Sequence, residues 1–345
     1  MTTHLEVLKV ALGFIGTAGV LAYAGYRLVS YATIIAEKTV LGATFVGAAM
    51  LATITSLPEL ASGVGAVFIA KQPDLAVGDA LGSCTFNLLV FLMLELLHPK
   101  ESIYARASQH HALAAGLGTI LIALVGTGIV VERLDLGFSF AHVGIMTPVI
   151  GVAYLIALWM IYVHARSERP SPPRANVPIA TSVRAAVAGY FVSGAFVVAA
   201  GLALPVLSKA LAEIVGWNSS FVGTTLLAFS TSLPEIVVSV AAIRIGALDM
   251  AVANLVGSNL FDTVIIAIDD LLYTKGSILA DVSITHIVTA LSSIGMTGIV
   301  VAALLFRPTS YRVRRPFLRL GWASVFLLLI YLANAYIQYS FGMPD

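Results

Sequence analysis

The sequence predicts an all-α polytopic membrane protein with ten transmembrane helices, arranged as two inverted repeats of five helices. Three observations lead to this fold class: the composition, the number of long apolar stretches, and two polar motifs that occur once in each half of the chain. Of the 345 residues, 59% are hydrophobic and only 11% are charged, and the mean hydropathy is +0.96. This balance excludes an ordinary soluble domain and a disordered chain, and it is typical of a helical membrane protein.

Ten stretches are apolar over about 20 residues or more, the length that a helix needs to cross a bilayer. The first stretch contains Ala22-Tyr-Ala24, which also fits a signal-peptide cleavage site. Its apolar run is longer than a signal core of about 7–15 residues, so we interpret it as a transmembrane helix. The predicted spans are 5–35, 40–70, 74–97, 107–131, 140–164, 182–214, 218–246, 249–272, 281–306 and 314–340.

A segment rich in Pro, Ser and Arg interrupts the apolar stretches midway, with the sequence ARSERPSPPRANVPI. This composition predicts a loop, not a helix. We therefore divide the chain into a first five-helix half at 1–164, a linker at 165–181 and a second five-helix half at 182–345. With the linker placed in the cytoplasm, most of the 19 lysine and arginine residues fall on the inner side. The positive-inside rule then predicts that both termini lie outside.

Each half contains the same two polar motifs, in the segments of about 40–97 and 218–272. The first motif, Leu51-Ala-Thr-Ile-Thr-Ser-Leu-Pro-Glu-Leu60, has a near-copy at Leu227-Ala-Phe-Ser-Thr-Ser-Leu-Pro-Glu-Ile236. The second, Gly82-Ser-Cys-Thr-Phe-Asn87, has a copy at Gly257-Ser-Asn-Leu-Phe-Asp262. Because five is an odd number of helices, the two copies enter the membrane from opposite sides. Inverted repeats of this kind bind a transported species near the midplane, where the copies meet.

The polar side chains of both motifs all offer oxygen. A carboxylate at membrane depth costs about 2.5–3.5 kcal/mol even on the lenient insertion scale, so it marks a functional site by default. Residues four apart share a helix face, and oxygen-only sets suit hard cations such as calcium and sodium, not zinc or copper. The candidate ligands are Thr55, Ser56, Glu59, Ser83, Asn87, Thr231, Ser232, Glu235, Ser258 and Asp262, and Ala52 and Ala228 lie on the same helix faces as the threonines and glutamates.

Pro58 and Pro234 predict that the second and seventh spans are broken helices. A proline inside a helix removes one hydrogen bond and displaces the carbonyl four residues earlier. Freed carbonyls at membrane depth are tolerated where they line a cavity or bind an ion. A purely structural alternative is a capping box, in which Ser56 or Ser232 caps the restarted helix and the glutamate three residues later closes it.

The charge of the motifs indicates which ions could bind. If all three ionise, the carboxylates of Glu59, Glu235 and Asp262 supply −3. One calcium ion would leave −1, whereas several sodium ions could neutralise the same set. One site could therefore hold either species but not comfortably both, which is the electrostatic basis of exchange.

Other ionisable residues are weaker candidates. Asp79 lies three residues before Gly82, at a position where the second copy has Asn254. Three acidic residues lie near predicted span ends, where we expect them at the membrane interface: Glu95, Asp269 and Asp270. His110 and His111 also lie near an interface, and a proton-sensing role is the alternative for them.

These motifs resemble those of the calcium/cation antiporter superfamily, which includes the sodium/calcium exchangers. The resemblance covers spans two to three and seven to eight, a quarter to a third of the chain. It implies alternating-access exchange of calcium against sodium, with the long first and sixth spans sliding against the rest. It further implies that Glu59 and Glu235 are the central calcium carboxylates and that Thr55 and Thr231 supply hydroxyl and carbonyl ligands.

The same resemblance implies roles for the remaining candidates. Ser83 and Ser258 resemble sodium ligands, Asn87 and Asp262 line the middle of the site, and Ala52 and Ala228 lend backbone carbonyls to sodium. One departure is Cys84, where the family often has asparagine. The potassium-dependent branch also has an aspartate where Asp262 stands, so potassium coupling stays open. The Gly-Asn-Ala-x-Glu motif typical of the proton-coupled branch is absent.

We therefore predict a sodium/calcium antiporter, not an enzyme, in the lipid bilayer of a prokaryotic inner membrane. Its partners would be the transported Ca²⁺ and Na⁺, with K⁺ as an open addition. We expect no cofactor, no nucleic acid and no obligatory protein partner. The alternatives are a Ca²⁺/H⁺ exchanger, a K⁺-dependent Na⁺/Ca²⁺ exchanger, a channel, and a membrane cation sensor that does not transport.

Overall fold

The computed structural model describes residues 2–39, 45–97, 102–167, 181–215, 227–306 and 321–341. These residues are almost entirely helical, as the sequence predicts, and their one sheet is an antiparallel pair of two-residue strands. Most of the predicted linker and the starts of the second, seventh and tenth predicted spans lie outside the described residues.

The elements follow one another in two similar series. In chain order they are α1 (Thr2–Lys38), a π-helix (Val46–Leu51), α2 (Ala52–Thr55), α3 (Leu57–Val64), a second π-helix (Gly65–Ala70), α4 (Pro73–Leu97), α5 (Ile103–Arg106), α6 (His111–Arg133), β1 (Ser139–Phe140), β2 (Val143–Gly144), α7 (Met146–Ser167), α8 (Val183–Val215), α9 (Ala228–Thr231), α10 (Leu233–Arg244), α11 (Leu248–Leu272), α12 (Ile278–Asp281), α13 (Thr285–Phe306) and α14 (Trp322–Phe341).

Eight helices in the described residues are long and apolar enough to cross a membrane, and a ninth span is a pair of helices bent by 40°. The bent pair is Val46–Thr55 with Leu57–Phe68. The seventh predicted span, 218–246, begins outside the described residues and is also broken where it is described. The predicted all-helical membrane fold is confirmed, although the count of ten is not reproduced among these residues.

Three predicted spans begin too early. The predicted starts at 107, 140 and 281 precede the observed long helices, which begin at His111, Met146 and Thr285. Short helices or the β1–β2 hairpin occupy the intervening residues. Hydropathy did not reveal these connections because they contain apolar residues of their own, such as the exposed Phe138 and Phe140.

Two helices form the centre of the molecule. Over an apolar 18-residue stretch of each helix, 83% of α11 and 67% of α4 is buried inside the protein, whereas only 18% of α1 is buried. The two central helices pack against each other and carry the second polar motif of each repeat. The polar motifs are therefore enclosed by protein, while the peripheral helices have apolar outer faces suited to lipid.

Glycines allow backbones to touch at this centre. A Cβ at position 257 would overlap the backbone of Ala48, including its carbonyl oxygen. A Cβ at position 47 would lie 2.8 Å from the carbonyl oxygen of Met250. Small residues permit such close approach of membrane helices, where no hydrophobic effect drives association. The π-helix before the first break is thereby held directly against α11.

Two histidine–aspartate pairs fix helix starts in the two repeats. His111 Nε2 lies 3.1 Å from Asp249 Oδ1, and His286 Nε2 lies 2.8 Å from Asp74 Oδ1. Both histidines are buried, and the corresponding members of the two pairs are 175 residues apart in sequence. The pairs connect the start of α6 to that of α11, and the start of α13 to that of α4. The placement of His111 in such a pair indicates a structural role for this residue.

Glu95, Asp269 and Asp270 lie near the ends of α4 and α11, but the protein buries all three. Their exposed fractions are 7%, 0% and 1%. Hydropathy places these residues near the ends of apolar stretches, but it does not show that other parts of the protein cover them. A buried carboxylate needs hydrogen-bond donors or a cation nearby. Each of these three residues therefore has a structural or functional role.

Asp270 and Glu95 each hold the starts of other elements through hydrogen bonds. Asp270 Oδ2 accepts a hydrogen bond from Gly144 N at 3.0 Å and one from the Thr147 hydroxyl, and Oδ1 accepts one from Ile278 N at 2.6 Å. It thus connects the end of α11 to the hairpin, α7 and α12. Glu95 repeats the pattern at the equivalent position, 175 residues earlier.

Glu95 Oε2 accepts a hydrogen bond from the backbone N–H of Gly321 at 3.1 Å and another from the hydroxyl of Ser324. Gly321 and Ser324 follow Gly144 and Thr147 by 177 residues. The end of α4 therefore holds the start of α14 as the end of α11 holds the start of α7. This agreement between repeats extends the sequence symmetry to residues outside the two motifs.

Replacing Asp270 with alanine should destabilise the protein by about 3 kcal/mol, because two buried backbone N–H groups and a hydroxyl lose their acceptor. The measurement is thermal unfolding of the purified protein in detergent. Asp135→Asn is the matched control, since Asp135 is exposed and has a φ of 53°, which asparagine tolerates. Equal unfolding midpoints for the Asp270→Ala variant and the wild type would contradict the anchoring role.

Candidate cation-binding site

Two helix breaks position the glutamates. Ser56 separates α2 from α3 with φ −90° and ψ 7°, and Ser232 separates α9 from α10 with φ −81° and ψ 2°. Pro58 and Pro234 fall in the first turn of each restarted helix. Proline fits there because the first N–H groups of a helix have no intrahelical acceptor. The prediction of broken helices is confirmed for both motifs.

Helix α8 lies across both breaks. A Cβ at Gly201 would overlap Pro58 and would lie 3.4 Å from Cγ of Pro234. A Cβ at Gly194, two turns earlier, would lie 2.8 Å from Cδ1 of Ile54. The absence of side chains at these two glycines lets α8 approach the broken helices of both repeats closely.

The serines of the breaks bind the glutamates crosswise. Ser56 Oγ donates a hydrogen bond to Glu235 Oε1 at 2.9 Å, and Ser232 Oγ donates one to Glu59 Oε1 at 3.3 Å. Neither serine side chain caps its own helix, so the capping-box alternative is wrong in that respect. A buried carboxylate is a strong acceptor, and the glutamate of the other repeat accepts the hydrogen bond of the serine hydroxyl.

The second motifs add a contact between α11 and α10 and several between α4 and α11. Ser258 Oγ donates to Glu235 Oε1 at 3.1 Å. Asn87 Nδ2 lies 3.5 Å from Asp262 Oδ2 and 3.1 Å from Asn259 Oδ1. Cys84 Sγ lies 3.7 Å from Asp262 Oδ2. Asn259 was missed as a site residue, although its place after Gly257 and Ser258 in the second motif was a signal for it.

The threonines lie in the last turn before each break. Thr55 Oγ1 lies 3.2 Å from the carbonyl oxygen of Ala52, and Thr231 Oγ1 lies at the same distance from that of Ala228. The alanine carbonyls that the family resemblance suggests as sodium ligands thus lie beside the threonine hydroxyls. Their role as ligands stays a prediction.

All twelve predicted ligands are buried, with exposed fractions of 2% or less. Five of their oxygen atoms lack a hydrogen-bond partner: Glu59 Oε2, Glu235 Oε2, Asp262 Oδ1, Asn87 Oδ1 and Ser83 Oγ. The carboxyl groups of Glu59, Glu235 and Asp262 interact electrostatically. Among the described residues no lysine or arginine is buried, so no basic side chain balances these acids.

The composition of the cluster limits which ions it could hold. Within the described ranges, no group of three or more acidic, histidine or cysteine side chains is placed to hold a metal ion by itself. A bound cation would also need hydroxyl, amide or carbonyl oxygens. Such mixed oxygen sets are those of calcium and the alkali metals.

Comparison with known proteins agrees with the geometry. A family model described as sodium/calcium exchanger protein matches residues 9–172 and 185–340. The chain is 27% identical to the inner membrane protein YrbG of Escherichia coli over 79% of this chain and 82% of that protein. It is 32% identical to the sodium/calcium exchanger MaX1 of Methanosarcina acetivorans over 35% of this chain and 31% of that protein.

The fold also resembles that of a solved structure. The sodium-calcium exchanger NCX_Mj superposes with a TM-score of 0.69 at 21% identity, over 98% of this chain and 100% of that chain. At this identity the likeness shows the fold. Together with the apolar helices, the relatives identify an integral multi-pass membrane protein.

Proposed function

The chain belongs to the sodium/calcium exchanger protein family, and from this membership we propose that it exchanges calcium for sodium across a membrane by alternating access. The observation that carries the proposal is the set of five buried, unpartnered oxygens between the two repeats. Leaving a buried polar atom without a partner is costly, and a hard cation would satisfy several of these atoms at once.

In this proposal Glu59 and Glu235 are the central calcium ligands. Each has one oxygen held by a serine of the other repeat and one oxygen without a partner. Asp262 adds a third carboxylate. A calcium ion takes about six to eight oxygen ligands, which the hydroxyl and amide groups of the motifs would complete. Sodium ions would use the same acids, and their competition with calcium would couple the two fluxes.

Alternating access would involve α1 and α8. These two helices pack along each other, and α8 also contacts the helices on both sides of the two breaks. Movement of this pair past the breaks would expose the cluster first to one side and then to the other. The orientation that we propose has the central linker in the cytoplasm and both termini outside, in a prokaryotic inner membrane.

Potassium-dependent exchange is a second candidate. Asp262 carries a charge where the first repeat has the neutral Asn87, and its Oδ1 has no hydrogen-bond partner. An additional monovalent cation beside calcium would balance this extra charge. The candidate is separated from the first by adding potassium to an otherwise identical transport assay.

The decisive experiment is calcium-45 uptake into proteoliposomes with an outward gradient of sodium, potassium or protons. We expect uptake with the sodium gradient and not with protons alone, and we expect an imposed membrane potential to change its rate, because several sodium ions would replace one calcium ion. Protein-free liposomes are the control. Uptake driven only by protons would indicate a calcium/proton exchanger, and calcium binding without counterflow would indicate a sensor.

A further inference from the structure

One difference between the two repeats lies in the buried region beside the cluster, around Asn254 and its counterpart Asp79. In the second repeat, Asn254 accepts a hydrogen bond from Thr55 Oγ1 at 3.4 Å and donates one to Ser239 Oγ at 3.3 Å. The equivalent positions in the first repeat hold Asp79 and Gly63. The first repeat therefore has a carboxylate in place of the amide and no side chain in place of the hydroxyl.

A second carboxylate occupies the space beside Gly63. Asp269 of α11 is fully buried, and a Cβ at position 63 would lie 2.9 Å from its Oδ1. The equivalent position in the first repeat is Leu94, so this acid also has no counterpart. Both departures from the repeat symmetry thus introduce a carboxylate on the same side of the cluster.

Three carboxylate oxygens at this place have no hydrogen-bond partner: Asp79 Oδ2 and both oxygens of Asp269. Asp79 Oδ1 accepts a hydrogen bond from Thr231 Oγ1 at 3.0 Å, and the side chain of Ser62 lies beside the same carboxyl group. The two acids interact electrostatically. No buried lysine or arginine in the described residues offsets them.

Two buried acids with unpartnered oxygens require a counter-charge, because an isolated carboxylate in a low-dielectric site is strongly unfavourable. Their carboxylate and hydroxyl oxygens suit a hard cation. Thr231 belongs to the main cluster as well, so the two places are neighbours. A calcium ion in the main cluster would repel a divalent ion beside Asp79 about twice as strongly as a monovalent ion. We propose that Asp79 and Asp269 form an accessory binding site for a monovalent cation, such as sodium, next to the main cluster.

The test is equilibrium binding of sodium-22 to the full-length protein in detergent without calcium. The variants are Asp79→Asn and Asp269→Leu, because each installs the residue that the other repeat carries. We expect each variant to bind about one sodium ion fewer per chain than the wild type. Removing either carboxylate would abolish the accessory site, so the sodium ion that binds there would no longer be retained. Asp135→Asn is the control and should bind as many as the wild type.

Unchanged sodium binding in both variants would overturn the proposal. This is also the result expected if the two acids share a proton and bind no cation. If Asp269→Leu does not yield monodisperse protein, Asp269→Asn replaces it. Parallel calcium-45 binding without sodium checks that the main cluster is intact. The assay requires no transport, so a wild type that fails to exchange in liposomes would refute the proposed function without deciding whether this site exists.

Discussion

Glu59→Gln and Glu235→Gln should each reduce calcium exchange by at least about 100-fold, a loss of roughly 3 kcal/mol. Glutamine preserves the shape of the side chain and can still accept the serine hydrogen bond, so we expect the fold to persist. It removes one of the three negative charges that would face calcium, and calcium sites depend on charged oxygen ligands. Each glutamate accepts a hydrogen bond from the break serine of the other repeat and has one oxygen without a partner, which predicts a large loss in both variants.

The measurement is sodium-driven calcium-45 uptake, normalised to the amount of reconstituted protein. Glu37→Gln is the matched control because it makes the same chemical change on α1, outside both motifs. Size-exclusion chromatography of each variant reports folding. Exchange at the wild-type rate in either variant would rule out that glutamate as a central ligand.

Gly257→Ala should lower the free energy of unfolding by about 3 kcal/mol, at the upper end of ordinary overpacking. The new Cβ would meet the backbone of Ala48, which cannot rotate away as a flexible side chain could. The helices would have to separate, and this would shift the second motif of one repeat away from the first motif of the other. Transport should therefore fall together with stability.

Gly298→Ala is the control for that variant. Gly298 is also inside a long helix, but a Cβ there would have no neighbour within 4 Å. Alanine favours helix by as much as about 1 kcal/mol over glycine, so this variant should be neutral or slightly more stable. Thermal unfolding in detergent compares the two, and equal midpoints would show that Gly257 does not hold the helices in contact.

Much of the fold follows from local sequence properties. Composition and the length of apolar stretches identify the membrane class, and the repeated motifs indicate two related halves. Pro58 and Pro234 indicate the helix breaks because the effect of proline on a helix is local. The misplaced helix starts arose where short connections were themselves apolar, since a hydropathy window does not register a turn.

The site could be predicted as a set of residues but not as a set of contacts. Spacing along one helix placed Thr55 and Glu59 on a shared face. It could not show that Ser56 binds the glutamate of the other repeat, because that contact depends on how two distant segments pack. Asp269 is a related case. Its position near a helix end suggested the membrane interface, and only the packed structure shows that it is buried against Gly63.

The paired contacts have a consequence for the origin of the chain. The crosswise serine–glutamate contacts at the breaks, the histidine–aspartate pairs and the contacts of the helix-end carboxylates with Thr147 and Ser324 all run from one half to the other. A single half would leave its buried charges unsatisfied. A five-helix ancestor could meet the same requirements by pairing with an antiparallel copy of itself, making each contact twice. Gene duplication and fusion would then have preserved that homodimer inside one polypeptide, and fragments expressed separately should accumulate only when both are present.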